Sequence, residues 1–259
     1  RKKILEWMYN LAAKCDLISK EAIATAAYYL DTAIDAPDLI QSKRDFKILS
    51  VACLYLATKI LDTSSVTLRE LMKLCGDEFS AAEVLNVELP LIATLDWRLH
   101  PPTPYCFLNQ YLELLPICPS STEFNSIRYF AQRLIEAFIC QEHPCQEFYP
   151  SEIACAASLL ALESERMNVP VRIRHAWLLK MSIQCGLQSN NRRCCNALHR
   201  LLRLLSNEDP SKACFRVTTA QAVKEHMIAP KNSRRDSLLI STFQGKIILS
   251  PRSAILVSS

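Results

Sequence analysis

From Ile48 to Ala57 only Ser50 interrupts a run of apolar residues, and the run offers no polar face. That pattern predicts a helix enclosed on all sides, here Lys43 to Leu61 (KRDFKILSVACLYLATKIL). So short a run cannot cross a bilayer, which takes about 20 apolar residues, so other helices must surround it. Lys59 is the first charge after the run. A cation in the last turn suits the helix dipole, and it places a long-armed charge where a central helix surfaces.

The same periodicity places four helices around this one. Ile4, Leu5, Met8, Leu11 and Ala12 form one stripe close to the start, and a region N-terminal to it is expected. Ser19 can cap a second helix, Lys20 to about Ile34, that packs Ile23, Ala26, Ala27 and Leu30. Asp31 near its end is unfavourable to the dipole and calls for a cationic partner, for which Arg1 is the candidate. Leu68 to Cys75 reads as a short fourth helix, and Ser80 with Glu83 forms the capping box of a fifth, to about Leu95. Pro90 lies inside that fifth helix, where a kink is expected.

His100, Pro101 and Pro102 close this set, and Thr103 with Pro104 opens another as N-cap and first helical residue. Further helices read as Pro104 to Leu115, Ser121 to Cys140, Ser151 to Arg166, Val171 to Cys185 and Ser189 to Leu205. Here the chain repeats itself. ACLYLA (Ala52 to Ala57) returns as AASLLA (Ala156 to Ala161), each time in the third helix of five. The predicted fold is therefore all-α, two five-helix repeats (residues 1–100 and 101–206) joined by a short connector. A C-terminal tail, residues 207–259, is expected to be partly disordered. Within it Phe243 to Val257 is apolar without helical period, and suits a short strand or a segment that orders on binding. Glu163 stands where the first repeat has Lys59, so one repeat alone is expected to carry the main site.

Three glycines in 259 residues favour helices over hairpins. A net charge of +4 is too mild and scattered to point to nucleic acid, and no signal peptide or membrane span is recognisable. Of twelve cysteines, Cys53, Cys75, Cys106 and Cys155 sit within apolar helical patterns, as reduced buried thiols do. Cys140, His143 and Cys145, with Cys194, Cys195 and His199, are the best metal candidates, but no CxxC pair exists and no metal is expected. No catalytic or nucleotide-binding motif is present, so neither an enzyme nor a cofactor is expected.

Several ordered motifs resemble the cyclin family. RKKILEWM at Arg1, YYLD at Tyr28, ACLYLATK at Ala52 and VELPLIATLDWRLHPPTPYCFL at Val87 resemble the first, second, third and fifth helices of a cyclin box and its crossover. YPSEIACAA at Tyr149 resembles the third helix of the C-terminal box. The spacing of RK before WM, and PPTP after the tryptophan, look closest to G1 (D-type) cyclins.

The resemblance implies a regulatory subunit that binds and activates a cyclin-dependent serine/threonine kinase at its C-helix and activation segment, at the G1-to-S transition, in nucleus and cytoplasm. Lys59 and Glu88 match the family's kinase-binding pair, and Leu56, Ile60, Ile92 and Leu99 the apolar contact positions. Arg1 and Asp31 match the internal ion pair, although Thr32 replaces the family's next arginine. Ile4 and Trp7 match the substrate-docking patch, but Lys3, Asn10 and Lys47 replace an apolar residue, an acid and a glutamine. Basic docking motifs should therefore bind it poorly. In the tail, Arg235-Asp236-Ser237-Leu238 fits a minimal degron for a ubiquitin ligase, and Ser237 and Ser250 are candidate phosphosites. The competing reading is a module like the two-box core of transcription factor IIB, binding DNA and a DNA-bound protein. For that role Arg192, Arg193 and HRLLRLL (His199 to Leu205) would supply the basic stripe.

Overall fold

The structure is a computed structural model that describes residues 1–207 except 16, 37, 63–65, 77, 142–146, 165–166, 168 and 187–191. Ten α-helices follow one another, and no strand occurs among the described residues. They are α1 (Lys2–Ala12), α2 (Lys20–Ala33), α3 (Lys43–Leu61), α4 (Leu68–Leu74) and α5 (Ala81–Thr94). The second set is α6 (Pro104–Glu113), α7 (Thr122–Ile139), α8 (Pro150–Glu163), α9 (Val171–Cys185) and α10 (Arg192–Asn207). The tail with its apolar segment Phe243 to Val257, its degron and Ser237 and Ser250 lie outside the described residues.

Side-chain caps account for most of the helix starts. Ser19, Ser42, Thr67, Ser80, Thr103 and Ser121 each accept a backbone N–H from the first turn, and Glu70 and Glu83 complete capping boxes. At the end of α9, Gly186 takes a left-handed φ of 63°, which costs glycine little.

Each set is organised around its third helix. Helix α3 packs against α1, α2 and α5, and α8 against α6, α7 and α10. Leu49, Cys53, Leu54 and Ala57 on α3 are fully covered, as are Ala154, Ala156, Ala157 and Ala161 on α8. The buried hydroxyls of α3 and α8 are satisfied within their own helices. Ser50 Oγ donates to the Phe46 carbonyl at 2.6 Å, and Ser158 Oγ to the Ala154 carbonyl at 2.8 Å. A polar residue inside an apolar helix thus needs no partner from outside.

Helix α5 runs from Ala81 to Thr94 straight through Pro90. Pro90 and Asn86, whose carbonyl loses its usual donor, both face solvent, so water can satisfy the freed oxygen and the helix need not end there.

The two sets meet through α2 and α6 and a series of polar contacts. Tyr9 and Tyr105 share a hydroxyl–hydroxyl hydrogen bond of 3.0 Å, and Lys20 lies 3.8 Å from Glu136; within the first set, Tyr29 Oη donates to the Leu99 carbonyl. Burial, first of all, pushes the phenols of Tyr9 and Tyr105 well above their usual range.

Candidate functional site

Helix α3 is sealed through its middle, Ile48 to Thr58 except half-buried Tyr55, and opens again in its C-terminal turn, where Lys59 emerges. Glu88, from the middle of α5, forms an ion pair with it. The lysine is the more open partner, at 41% side-chain exposure against 15% for the glutamate. The ammonium also lies 5.0 Å from the centre of the Tyr55 ring, so an aromatic face and a carboxylate hold it together.

The apolar positions around this pair separate into two groups. Leu56 is only 3% exposed and belongs to the core beneath the pair, so it shapes the site from below. Ile60, Ile92 and Leu99 are half-buried and form part of the surface. Three residues join them that the sequence reading did not single out: Leu85 at 48% exposure, Leu89 at 67% and Trp97 at 70%. Leu85, Glu88, Leu89 and Ile92 are spaced as one face of α5, so helical periodicity carried the signal for the two leucines. Exposure was the missing part, because an apolar residue on a helix is by default core.

Trp97 owes its position to the backbone. Asp96 and Trp97 adopt left-handed φ values of 49° and 60°, unusual for residues with side chains. The turn is pinned by backbone bonds from Trp97 N to the Ile92 carbonyl (3.2 Å) and from Leu99 N to the Trp97 carbonyl (3.0 Å). Strain of this kind persists only where the surroundings over-determine it, and here it holds a large indole out in solvent next to a charged rim.

Away from this rim, Arg1 grips Asp31 with two guanidinium nitrogens, one at 2.7 Å from Oδ2. Another nitrogen donates to the carbonyl of Ile139 at 2.9 Å and to that of Gln141. The pair is buried, with side-chain exposures of 7% and 11%. The remaining candidates on α1 and α3 also converge: Ile4, Trp7 and Lys47 line a cavity of about 200 Å³ with Lys3, Ser50, Val51, Cys75, Glu78 and Phe79.

Two family models match this chain, "Cyclin, N-terminal domain" over residues 1–100 and "Cyclin, C-terminal domain" over residues 102–231. The chain belongs to the cyclin family. The cyclin is 25% identical over 172 residues to G1/S-specific cyclin-D1 of Mus musculus, covering 66% of this chain and 56% of that protein. It is 23% identical to cyclin-B2-2 of Oryza sativa subsp. indica, covering 60% of this chain and 34% of the relative. It therefore spans between a third and a little over half of the length of these relatives. In fold it is similar to a viral cyclin from herpesvirus saimiri, with a TM-score of 0.65 at 18% identity, covering 80% of this chain and 84% of the other.

In the second cyclin domain Glu163, the last residue of α8, stands where Lys59 stands in the last turn of α3. Two of its basic residues, Arg193 and Arg200, face their own chain. Arg193 lies 2.9 Å from Glu152 and over the Tyr149 ring, and Arg200 donates to the Gln141 side chain at 3.0 Å. Cys53, Cys140, Cys155, Cys194 and Cys195 are buried cysteines outside any disulfide, and burial lifts the Cys53 thiol far above its usual range. No group of three metal-ligating side chains forms among the described residues, and His143 and Cys145 lie outside them. No helix among the described residues is long and apolar enough to cross a membrane.

Proposed function

We propose that this cyclin is the regulatory subunit of a cyclin-dependent serine/threonine kinase, which it binds through the α3–α5 face and activates. The observation that carries this reading is the Lys59–Glu88 pair, held at the edge of a surface where Leu85, Leu89 and Trp97 remain uncovered. A charge pair beside an aromatic anchor, desolvated once a partner covers it, is the composition of a binding hot spot. The two side chains can bond to exposed backbone and charges of an inserted helix, while Ile60, Ile92 and Leu99 pack against its apolar side.

The mechanism follows as a population shift. A kinase that samples inward and outward positions of its C-helix is driven inward if the cyclin surface fits that position alone. The inward state assembles the kinase's own lysine–glutamate pair and magnesium site. The cyclin residues reshape their partner and perform no chemistry.

A role at the G1-to-S transition, in nucleus and cytoplasm, is part of the same proposal. The D-type look of the RK…WM and PPTP segments supports it, as does the likeness to cyclin-D1. A likeness to G2/mitotic-specific cyclin-A of Hydra viridissima favours a mitotic phase instead, and abundance measured across a synchronised cell cycle separates the two.

The test is the double reversal Lys59→Glu with Glu88→Lys, which preserves the pair and inverts its polarity. We expect loss of kinase association and activation with helical content and melting unchanged; retained activation would falsify the assignment.

A further inference from the structure

We infer that the solvent face of α9 is a docking surface for a short acidic amphipathic helix of a partner protein, whose apolar side packs on Leu179 and Ile183. The surface belongs to the second cyclin domain and uses no residue of the α3–α5 face, so it does not depend on the regulatory-subunit reading.

Helix α9 (VRIRHAWLLKMSIQC) is apolar on both of its sides. Ile173, Trp177 and Met181 share one side, and Val171, Leu179 and Ile183 the other. A helix apolar all round is normally enclosed all round. Here Trp177 and Met181 are its buried residues, and Trp177 Nε1 donates to the Tyr111 carbonyl at 2.7 Å. Val171, Leu179 and Ile183 are 54%, 45% and 71% exposed. With His175 they recur at every fourth position, so they form one stripe about 18 Å long. Single exposed apolar residues need no explanation, but a row of them on one helix marks a contact surface.

The charges on α9 select the partner. Arg172, Arg174 and Lys180 lie on it, and no aspartate or glutamate does. None of the three enters an ion pair among the described residues. Arg174 Nε is buried with no hydrogen-bond partner, and Lys180 donates to the Leu114 carbonyl at 3.1 Å, which uses one of three ammonium N–H groups. In the first domain, by contrast, the exposed cations Arg44, Lys47 and Lys59 each face a carboxylate already. Carboxylates flanking an apolar stripe would complete α9 in both respects. A second copy of the chain would set the same cations against one another. A nucleic-acid backbone would match Arg172 and Lys180 but leave Leu179 and Ile183 without apolar contact. An amphipathic helix of about three turns, with apolar residues at i, i+4 and i+7, fits the length and the chemistry together.

The experiment is fluorescence anisotropy of the full chain with fluorescein-labelled helical peptides and no kinase present. One peptide carries leucines at i, i+4 and i+7 among glutamates, a second has lysine at each glutamate position, and a third has serine at each leucine position. We expect saturable binding of the glutamate peptide, with the other two weaker by at least about tenfold. Leu179→Ser with Ile183→Ser, and Ile183→Ser alone, should weaken the glutamate peptide while the melting temperature stays the same. Arg172→Glu should weaken the glutamate peptide and strengthen the lysine peptide. Equal affinity for the two charged peptides, no saturation, or unchanged binding in the variants each overturns the inference. So does binding of duplex DNA or of phosphatidylserine vesicles that exceeds peptide binding and is lost in the same variants, or a dimer in sedimentation that Ile183→Ser dissolves. Because no kinase takes part, these outcomes are independent of the Lys59 and Glu88 reversal.

Discussion

Arg1 and Asp31, thirty residues apart, form a buried ion pair whose guanidinium also donates to the carbonyls of Ile139 and Gln141. One arginine thus ties α1 to α2 and both to the end of α7. The resemblance to the family implied the first link. The second depends on how the two five-helix sets are packed.

Because both partners are largely hidden, Asp31→Asn should destabilise the whole chain by about 3 to 5 kcal/mol, the usual cost of leaving one member of a buried pair uncompensated. Urea unfolding measures this directly. A shift below about 1 kcal/mol would show that solvent reaches the pair and carries the charge instead.

Trp97→Ala should separate binding from stability. The indole is 70% exposed, so the melting temperature should scarcely move, as for most surface substitutions. Kinase affinity should fall by about 2 kcal/mol or more, in the range of a hot-spot aromatic. Titration calorimetry against a cyclin-dependent kinase reads the loss, and unchanged affinity would remove Trp97 from the interface.

Pro90→Ala should stabilise the protein. It restores a backbone donor for the Asn86 carbonyl in an exposed stretch of helix, where proline is about 3 kcal/mol worse than alanine. Differential scanning calorimetry should show a higher melting temperature. No gain would mean that the α5 backbone around Pro90 is set by its packing and not by the missing bond.

The tyrosines at the junction between the two sets predict an alkaline limit. Burial raises the phenol pKa of Tyr9, Tyr29 and Tyr105 above the ordinary value of 10.0. A pKa higher in the folded state than in the unfolded one gives stability that is complete below pH 10 and declines as pH rises past it. Stability should therefore hold to about pH 10 and then fall, with phenolate absorbance and loss of helix appearing together. Tyr9→Phe, which leaves the Tyr105 hydroxyl without this partner, should cost about 1 to 3 kcal/mol at neutral pH. Phenolate absorbance beyond that of the exposed Tyr28, Tyr129 and Tyr149, developing well before any loss of helix, would count against the buried positions.

Local chemistry made much of the fold readable in advance. Serine and threonine caps, the Pro104 start and the two sealed helices α3 and α8 were legible because each depends on residues a few positions apart. The start of α8 at Pro150 and the end of α10 at Asn207 differ by one or two residues from expectation, as fraying helix ends do. Lys59 and Glu88 were legible as candidates because the family motif places them on two helices at matching positions.

What the chain by itself determined, then, is which segments are helical, which two are enclosed, and which residues could act together. Those properties follow from spacing and capping within a single helix. Tertiary structure alone decided which apolar residues stay in water, since Leu56 and Leu89 look equally hydrophobic in sequence yet are 3% and 67% exposed. It also decided that Arg1 reaches α7, that Lys3 and Lys47 ring one cavity, and that a left-handed turn presents Trp97 outward. Exposure and convergence depend on neighbours that are distant along the chain, and no local pattern of residues encodes them.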